Sequence, residues 1–88
     1  MATYISFFKF TDEGIRTIKG TTQRFQGSQD ICQQLGVNIK DLYYTNGQYD
    51  GIAIMEGDEE SVSAAALAIC TLGNTRTVTT RAYTVDEM

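Results

Sequence analysis

Two segments of this sequence carry apolar side chains at both odd and even positions, and this pattern restricts the folds that the chain can adopt. The first segment runs from Thr3 to Phe10 and the second from Gln48 to Glu56. Successive side chains of a strand point to opposite faces of a sheet, so a strand that is apolar at both parities has to be covered on both faces. We therefore predict that both segments are central strands.

The stretch between Thr11 and Gly36 predicts a bent or broken helix. Thr11 is a candidate N-cap, and two acidic residues follow it at once, as is common in a first helical turn. The apolar residues that come next keep one helical face, but Gly20 interrupts the pattern. Gly36 is expected to end the helix, because glycine readily adopts the left-handed conformation found beyond a helix C-terminus.

The following residues predict a hairpin and a second helix. Asn46-Gly47 predicts a type I′ turn after a strand at 37–45, because both residues accept positive φ. Asp58 is expected to cap a helix, with two glutamates in its first turn, and Gly73 is expected to end that helix.

With a threonine-rich last strand at 75–84, the predicted order is β-α-β-β-α-β in one domain, residues 1–88. This is the α+β, ferredoxin-like arrangement, in which two helices cover one face of a four-stranded antiparallel sheet and the first and third strands are central. The other face would expose a row of apolar side chains, which favours a homo-oligomer that packs two sheets face to face. The alternative is that the second face is only mildly apolar.

Composition and charge argue against several classes of partner. The 88 residues carry a net charge of −4, and the 7 basic residues are scattered along the chain. Nucleic acids and anionic membranes need concentrated positive charge, so neither is an expected partner. The N-terminus has no signal-peptide pattern, and Cys32 and Cys70 have no metal or redox spacing. We therefore expect a cytoplasmic protein with reduced thiols.

Several short motifs, in their order along the chain, resemble the GYD-domain family of small bacterial and archaeal proteins. The matching motifs are Thr3-Tyr4-Ile5, Thr11 to Lys19, Tyr43 to Asp50 (the name-giving signature), Leu72 to Thr77, and Arg81 to Thr84. The resemblance covers nearly the whole chain and implies a ferredoxin-like fold of the dimeric αβ-barrel type. It implies little about activity, because the family is essentially uncharacterised.

The sequence lacks the residue types on which the commonest catalytic sites depend. It contains no histidine, which excludes His-based nucleophilic triads and His-containing metal sites. Two isolated cysteines cannot form a structural zinc site, and no glycine pattern matches a phosphate-binding loop. We therefore expect no metal and no cofactor, and neither a conventional hydrolase nor a kinase.

Asp50 is the best candidate for a catalytic group, together with Tyr49 and Arg76. Strand alternation would place Asp50 and Tyr49 on opposite sheet faces, with Tyr49 on the side of Met55. A carboxylate beside an apolar face could act as a base with a raised pKa, while Arg76 could hold an anionic group and Tyr49 could position a substrate. The structural alternative, which we favour, is that Asp50 accepts backbone hydrogen bonds or pairs with Arg76 or Arg81.

Several tyrosines could also line a pocket for a small ligand. The ligand-binding candidates are Tyr44, Tyr49, Asp50, Arg76 and Tyr83. Aromatic residues more often fill a core or an interface, and we favour an interface for most of them.

Three functions remain open at this point. The first, which we favour, is a non-catalytic oligomeric module that binds a small ligand or a partner protein. The second is a cofactor-independent enzyme that uses Asp50, Tyr49 and Arg76, and the third is a structural assembly protein. No catalytic set of known geometry is visible in the sequence, which places the enzyme second.

Overall fold

The computed structural model of the chain describes residues 2–88. Its strands are β1 (Ala2–Phe10), β2 (Asn38–Tyr44), β3 (Gly51–Gly57) and β4 (Thr75–Ala82), and its helices are α1 (Asp12–Arg16), α2 (Thr21–Gln34) and α3 (Glu59–Cys70). A turn of 3-10 helix, Ile18–Gly20, joins α1 to α2. The element order is the predicted β-α-β-β-α-β, with the first helix broken near Gly20 as expected.

Within residues 2–88 the four strands form one antiparallel sheet in the order β2-β3-β1-β4. The prediction that the first and third strands are central is therefore confirmed. Ile5 of β1, for example, lies opposite Ile54 of β3 on one side and Thr80 of β4 on the other. Together with helices on one face, this strand order makes the chain an α+β, ferredoxin-like domain.

The two faces of the sheet have different surroundings. One face packs against the helices, where Tyr4 and Met55 from the central strands meet Val62 and Ala65 of α3 and the thiol of Cys32. The opposite face, here called the open sheet face, is covered by no helix of the described chain. Its apolar and aromatic side chains are those of Ile5, Phe7, Tyr43, Tyr49, Ile52, Ile54 and Val78, and its charged side chains are those of Lys9, Asp41, Glu56 and Arg76.

Arg24, which no sequence pattern singled out, connects the two parts of the broken helix through hydrogen bonds. The hydroxyl of Thr11 accepts a hydrogen bond from the Gly14 amide at 3.1 Å and caps α1, as predicted. The Arg24 guanidinium, on α2, donates to the Gly14 carbonyl at 3.2 Å and to the Thr21 hydroxyl at 3.0 Å. It also donates to the carbonyl and hydroxyl of Thr17, so one side chain of α2 forms hydrogen bonds to residues on both sides of the helix break.

The predicted two-residue hairpin turn is wrong. The connection between β2 and β3 has six residues, 45–50, because β3 begins at Gly51 rather than at Gln48. Gly47 has φ of 111°, but Asn46 has a negative φ, whereas a type I′ turn needs positive φ at both positions. The loop is closed instead by the Thr45 amide, which donates to the Asp50 carbonyl at 2.9 Å.

The second of the two predicted helices is α3, which begins after Asp58 and ends before Gly73, as predicted. Asp58 is the N-cap residue of α3, although its carboxylate accepts from the Ser61 hydroxyl at 3.2 Å and not from a helix amide. Gly73, with φ of 83°, follows its C-terminus. Both cysteines are free thiols, and burial raises the pKa of the Cys32 thiol.

Two helical glycines give a matched test of how tightly α1 packs. A Cβ on Gly14 would overlap the Asn74 carbonyl oxygen, whereas a Cβ on Gly27 of α2 would meet nothing within 4 Å. We expect Gly14→Ala to lower the free energy of unfolding by about 1–3 kcal/mol through overpacking. Gly27→Ala should raise it by about 0.5–1 kcal/mol, because alanine is the better helix former.

Urea unfolding followed by circular dichroism measures both variants. If the two substitutions changed stability by similar amounts in the same direction, the close approach of α1 to Asn74 would not exist in solution.

Candidate functional site

A cavity of about 100 Å³ lies between the sheet and the two longer helices. Its walls come from all four strands and from α2 and α3, and the lining residues that are exposed to solvent, and so mark its opening, are Tyr44 and Leu72. Ser6 and Ala53 form part of the sheet side, and Ala66 of α3 forms part of the helix side. The cavity therefore lies in the face that the helices cover.

Phe8 is the centre of an aromatic cluster in this cavity. Its ring centroid is 5.8 Å from that of Phe10 at an interplanar angle of 73°, and 6.2 Å from that of Tyr44 at 87°. Both are edge-to-face arrangements, which aromatic rings favour. Gly51, opposite Phe8 in the sheet, makes this position possible, because a Cβ there would overlap the Phe8 ring.

The surface of the cavity wall is mainly apolar, and the lining residues with polar side chains are Ser6, Thr21, Arg24, Ser28, Tyr44, Asn74, Thr75 and Thr77. Ser6 is buried, and its oxygen accepts a hydrogen bond from the Thr79 hydroxyl at 3.0 Å. Among the described residues that line the cavity, Arg24 is the single charged one. The site therefore offers aromatic surface, the buried hydroxyl of Ser6, further hydroxyl and amide groups that are less buried, and one positively charged residue.

Asp50 forms hydrogen bonds with the backbone of β1. It is half-buried, and its carboxylate accepts a hydrogen bond from the Phe10 amide at 2.8 Å, while its own amide donates to the Phe8 carbonyl at 2.9 Å. Ion pairs with Arg76 or Arg81 are not formed by Asp50 within residues 2–88. Of the alternatives predicted for this carboxylate, the geometry is that of a backbone acceptor at the end of β1.

Tyr49 and Arg76 lie on the open sheet face, away from the cavity. The Tyr49 ring packs on Phe7 with 5.1 Å between centroids, and the Lys9 ammonium lies 5.8 Å from its centre. The prediction that Tyr49 shares a face with Met55 is wrong, because β3 starts at Gly51 and strand alternation does not extend to residue 49. Arg76 is exposed and lies opposite Lys9 in the β1–β4 ladder.

Tyr83 lies at the other end of the sheet, against Arg81. The Arg81 guanidinium is 4.4 Å from the Tyr83 ring centre and 5.7 Å from that of Tyr4, and it pairs with Glu87 at 3.3 Å. The pKa of Glu87 is below its usual value. The largest cause is the hydrogen bond that its carboxylate accepts from the Thr84 amide, and the second is the hydrogen bond from Arg81. Of the five ligand-binding candidates, Tyr44 is the one that lines the cavity.

Comparison with known protein families tests the resemblance to the GYD-domain family that the sequence motifs indicated. The family model described as GYD domain matches residues 4–88. The chain belongs to the GYD domain family. The crystal structure of TTHA0845 from Thermus thermophilus has the same fold, with a TM-score of 0.60 over 97% of this chain and 96% of that chain. At 20% sequence identity, this likeness concerns the fold alone.

A search of curated proteins found no match to this GYD domain. Across residues 2–88, none of the helices has both the length and the apolar character needed to cross a lipid bilayer. The described part of the chain also brings together no group of three or more Cys, Asp or Glu side chains that could hold a metal ion.

Three residues of the site had weak or unrecognised sequence signals. Ser6 is the polar residue within the otherwise apolar run from Tyr4 to Phe8 of a central strand, and this position was the available signal for a buried hydroxyl. Gly51 directly follows the signature Tyr43 to Asp50, and its lack of a side chain leaves room for the Phe8 ring. Arg24 gave no signal, because its partners are carbonyls exposed by a helix break.

The role of Asp50 can be tested by removing its acceptor. Asp50→Ala leaves the Phe10 amide without its partner, so we expect the free energy of unfolding to fall by about 1–3 kcal/mol. Asp50→Asn should cost less, because an amide oxygen still accepts a hydrogen bond. Asp30→Ala, at an exposed site on α2, is the control and should change stability by no more than about 0.5 kcal/mol. Chemical denaturation measures the free energy of unfolding of all three variants. If Asp50→Ala were as stable as the wild type, the structural role of Asp50 would be ruled out.

Proposed function

We propose that this GYD domain is a non-catalytic, homo-oligomeric binding module that holds a small ligand between its sheet and its helices. The observation that carries the proposal is the cavity beside Phe8, which opens next to the exposed ring of Tyr44. Concave, mainly apolar sites with a few polar groups are where proteins bind small molecules.

The positions of the candidate catalytic groups favour binding over catalysis. Asp50 is engaged with the Phe10 amide, whereas Tyr49 and Arg76 are on the open sheet face. A general base and the groups that position its substrate have to converge on one reacting atom. No specific observation favours the enzyme alternative, and self-association enters the proposal as a means of covering the sheet.

Filling the cavity tests ligand binding directly. Benzyl alcohol serves as the probe, and its dissociation constant, expected to be roughly millimolar for so small a ligand, is measured by NMR titration. Ala66→Leu adds a side chain on the cavity wall and should abolish binding, whereas Ala64→Leu, on the exposed side of α3, should leave it unchanged. Binding that persists in a folded Ala66→Leu protein would place the probe elsewhere.

The open sheet face supports a second copy of this chain as the partner. Its central side chains, Ile5, Phe7, Ile52 and Ile54, come from the two middle strands, and Val78 at the edge is 56% exposed. A contiguous apolar surface of this kind is unusual on a monomeric protein. An identical sheet offers an equally apolar face, and two such faces pack about 10 Å apart.

The charges around the open sheet face favour the same partner. Lys9 and Arg76 lie directly opposite each other, an arrangement that is unfavourable for like charges unless an acid approaches them. Asp41 and Glu56 share the face at the diagonally opposite side, where Glu56 has a weak pair with Lys40 at 4.0 Å. A two-fold contact between copies would bring the basic corner of each onto the acidic side of the other.

A buried charge in this face tests the oligomer. We expect Ile54→Glu to raise the dissociation constant of the oligomer by at least about a hundredfold, because its centre would contain an unpaired carboxylate. Ser63→Glu, exposed on α3, introduces the same charge away from the face and should have no effect. Size-exclusion chromatography with light scattering gives the mass of each variant. A monomeric wild type, or an intact oligomer of folded Ile54→Glu, would contradict the face-to-face assembly.

A further inference from the structure

We infer that the ligand of the cavity is a single-ring aromatic molecule bearing a neutral or anionic oxygen, and that an amine in its place is rejected. The inference rests on the proposed function, since it assigns the chemistry of a ligand to the same cavity. Four features of the cavity carry it: the aromatic cluster, the volume, the buried hydroxyl and the sign of the charge.

The aromatic cluster selects a ring. The Phe8 ring already makes edge-to-face contacts with Phe10 and Tyr44, and Phe25 of α2 also lines the cavity. A ligand ring that enters through the opening near Tyr44 can continue this edge-to-face packing, which stabilises aromatic pairs beyond their buried area.

The size of the cavity limits the ligand to one ring. Its volume of about 100 Å³ is smaller than the roughly 150 Å³ of an engineered apolar cavity that holds benzene. A single ring therefore fits if part of the molecule extends into the opening between Tyr44 and Leu72. A fused second ring would exceed this volume further, and the buried residues Ala53 and Met55 form part of the sheet side of the wall.

Ser6 supplies a hydrogen bond for an oxygen atom. Only 4% of this residue is exposed, and its oxygen accepts from the Thr79 hydroxyl. A serine hydroxyl that accepts one hydrogen bond can still donate its own hydrogen. Within the described wall, the cavity thus presents a donor at its buried side, which suits a hydroxyl, carbonyl or carboxylate oxygen of a ligand.

The charge of the wall discriminates between an acid and an amine. Arg24 contributes the positive charge, and among the described lining residues there is no carboxylate to pair with an ammonium group. Arg24 is also fixed in place, because its terminal nitrogens donate to Thr17, Gly14 and Thr21. An ammonium ligand would lose its water without gaining an oppositely charged partner in the described wall, and it would approach the positive charge of Arg24, which is costly.

A set of matched probes tests this assignment on the full chain by NMR titration at neutral pH. The probes are benzyl alcohol, benzoate, benzylamine, toluene and 2-naphthylmethanol. Benzyl alcohol and benzoate should bind at least about tenfold more tightly than benzylamine, which is cationic at this pH, and than the fused-ring alcohol.

Ser6→Ala provides the second measurement. It should weaken the binding of benzyl alcohol roughly fivefold, the effect of one hydrogen bond, while the affinity for toluene stays the same. A general distortion of the cavity would weaken both probes together. Ser63→Ala, at an exposed position of α3, is the control and should change neither affinity.

The outcomes separate this inference from the function on which it rests. Benzylamine that binds as tightly as benzyl alcohol, or Ser6→Ala that leaves benzyl alcohol unaffected, overturns the ligand class, while the site stands as long as Ala66→Leu still blocks the probes. If none of the probes binds to the wild-type protein, the proposed binding function fails with it.

Discussion

The central position of β1 is the constraint on which the rest of this structure depends. β1 pairs with β3 along one edge and with β4 along the other, so its backbone is fully used and its side chains must be accommodated on both sheet faces. Tyr4, Ser6 and Phe8 point to the helices, whereas Ile5 and Phe7 point away from them. Both proposed interactions follow from this division: the ligand cavity lies on one face and the second copy on the other.

The absence of a side chain at two positions sets how closely the layers of the domain approach. Gly14 lets the start of α1 lie against the carbonyl of Asn74, and Gly51 lets the Phe8 ring lie close against β3. The first contact fixes the helical layer at the end of the sheet. The second keeps Phe8, which lines the cavity, within reach of Phe10 and Tyr44.

Two adjacent residues of the GYD signature, Tyr49 and Asp50, make different contacts with the sheet. The Asp50 carboxylate accepts a hydrogen bond from the Phe10 amide just beyond the end of the β1–β3 ladder, so that this partly buried donor is satisfied by a side chain. The neighbouring Tyr49 turns to the open sheet face and covers Phe7. A charged and an aromatic residue that are adjacent in sequence thus serve different surfaces, which is why they do not form one site.

Local patterns in the sequence determined the strand order, the broken first helix and the ends of the second helix, because these depend on periodicity, caps and glycines that act within a few residues. The tertiary structure decided the loop at residues 45–50, the face of Tyr49, and the grouping of Ser6, Phe8 and Arg24 around a cavity. These depend on contacts between distant segments, such as the Phe10 amide with the Asp50 carboxylate. This hydrogen bond lies where β3 begins at Gly51, three residues later than the sequence pattern predicted, and strand alternation therefore does not fix the face of Tyr49.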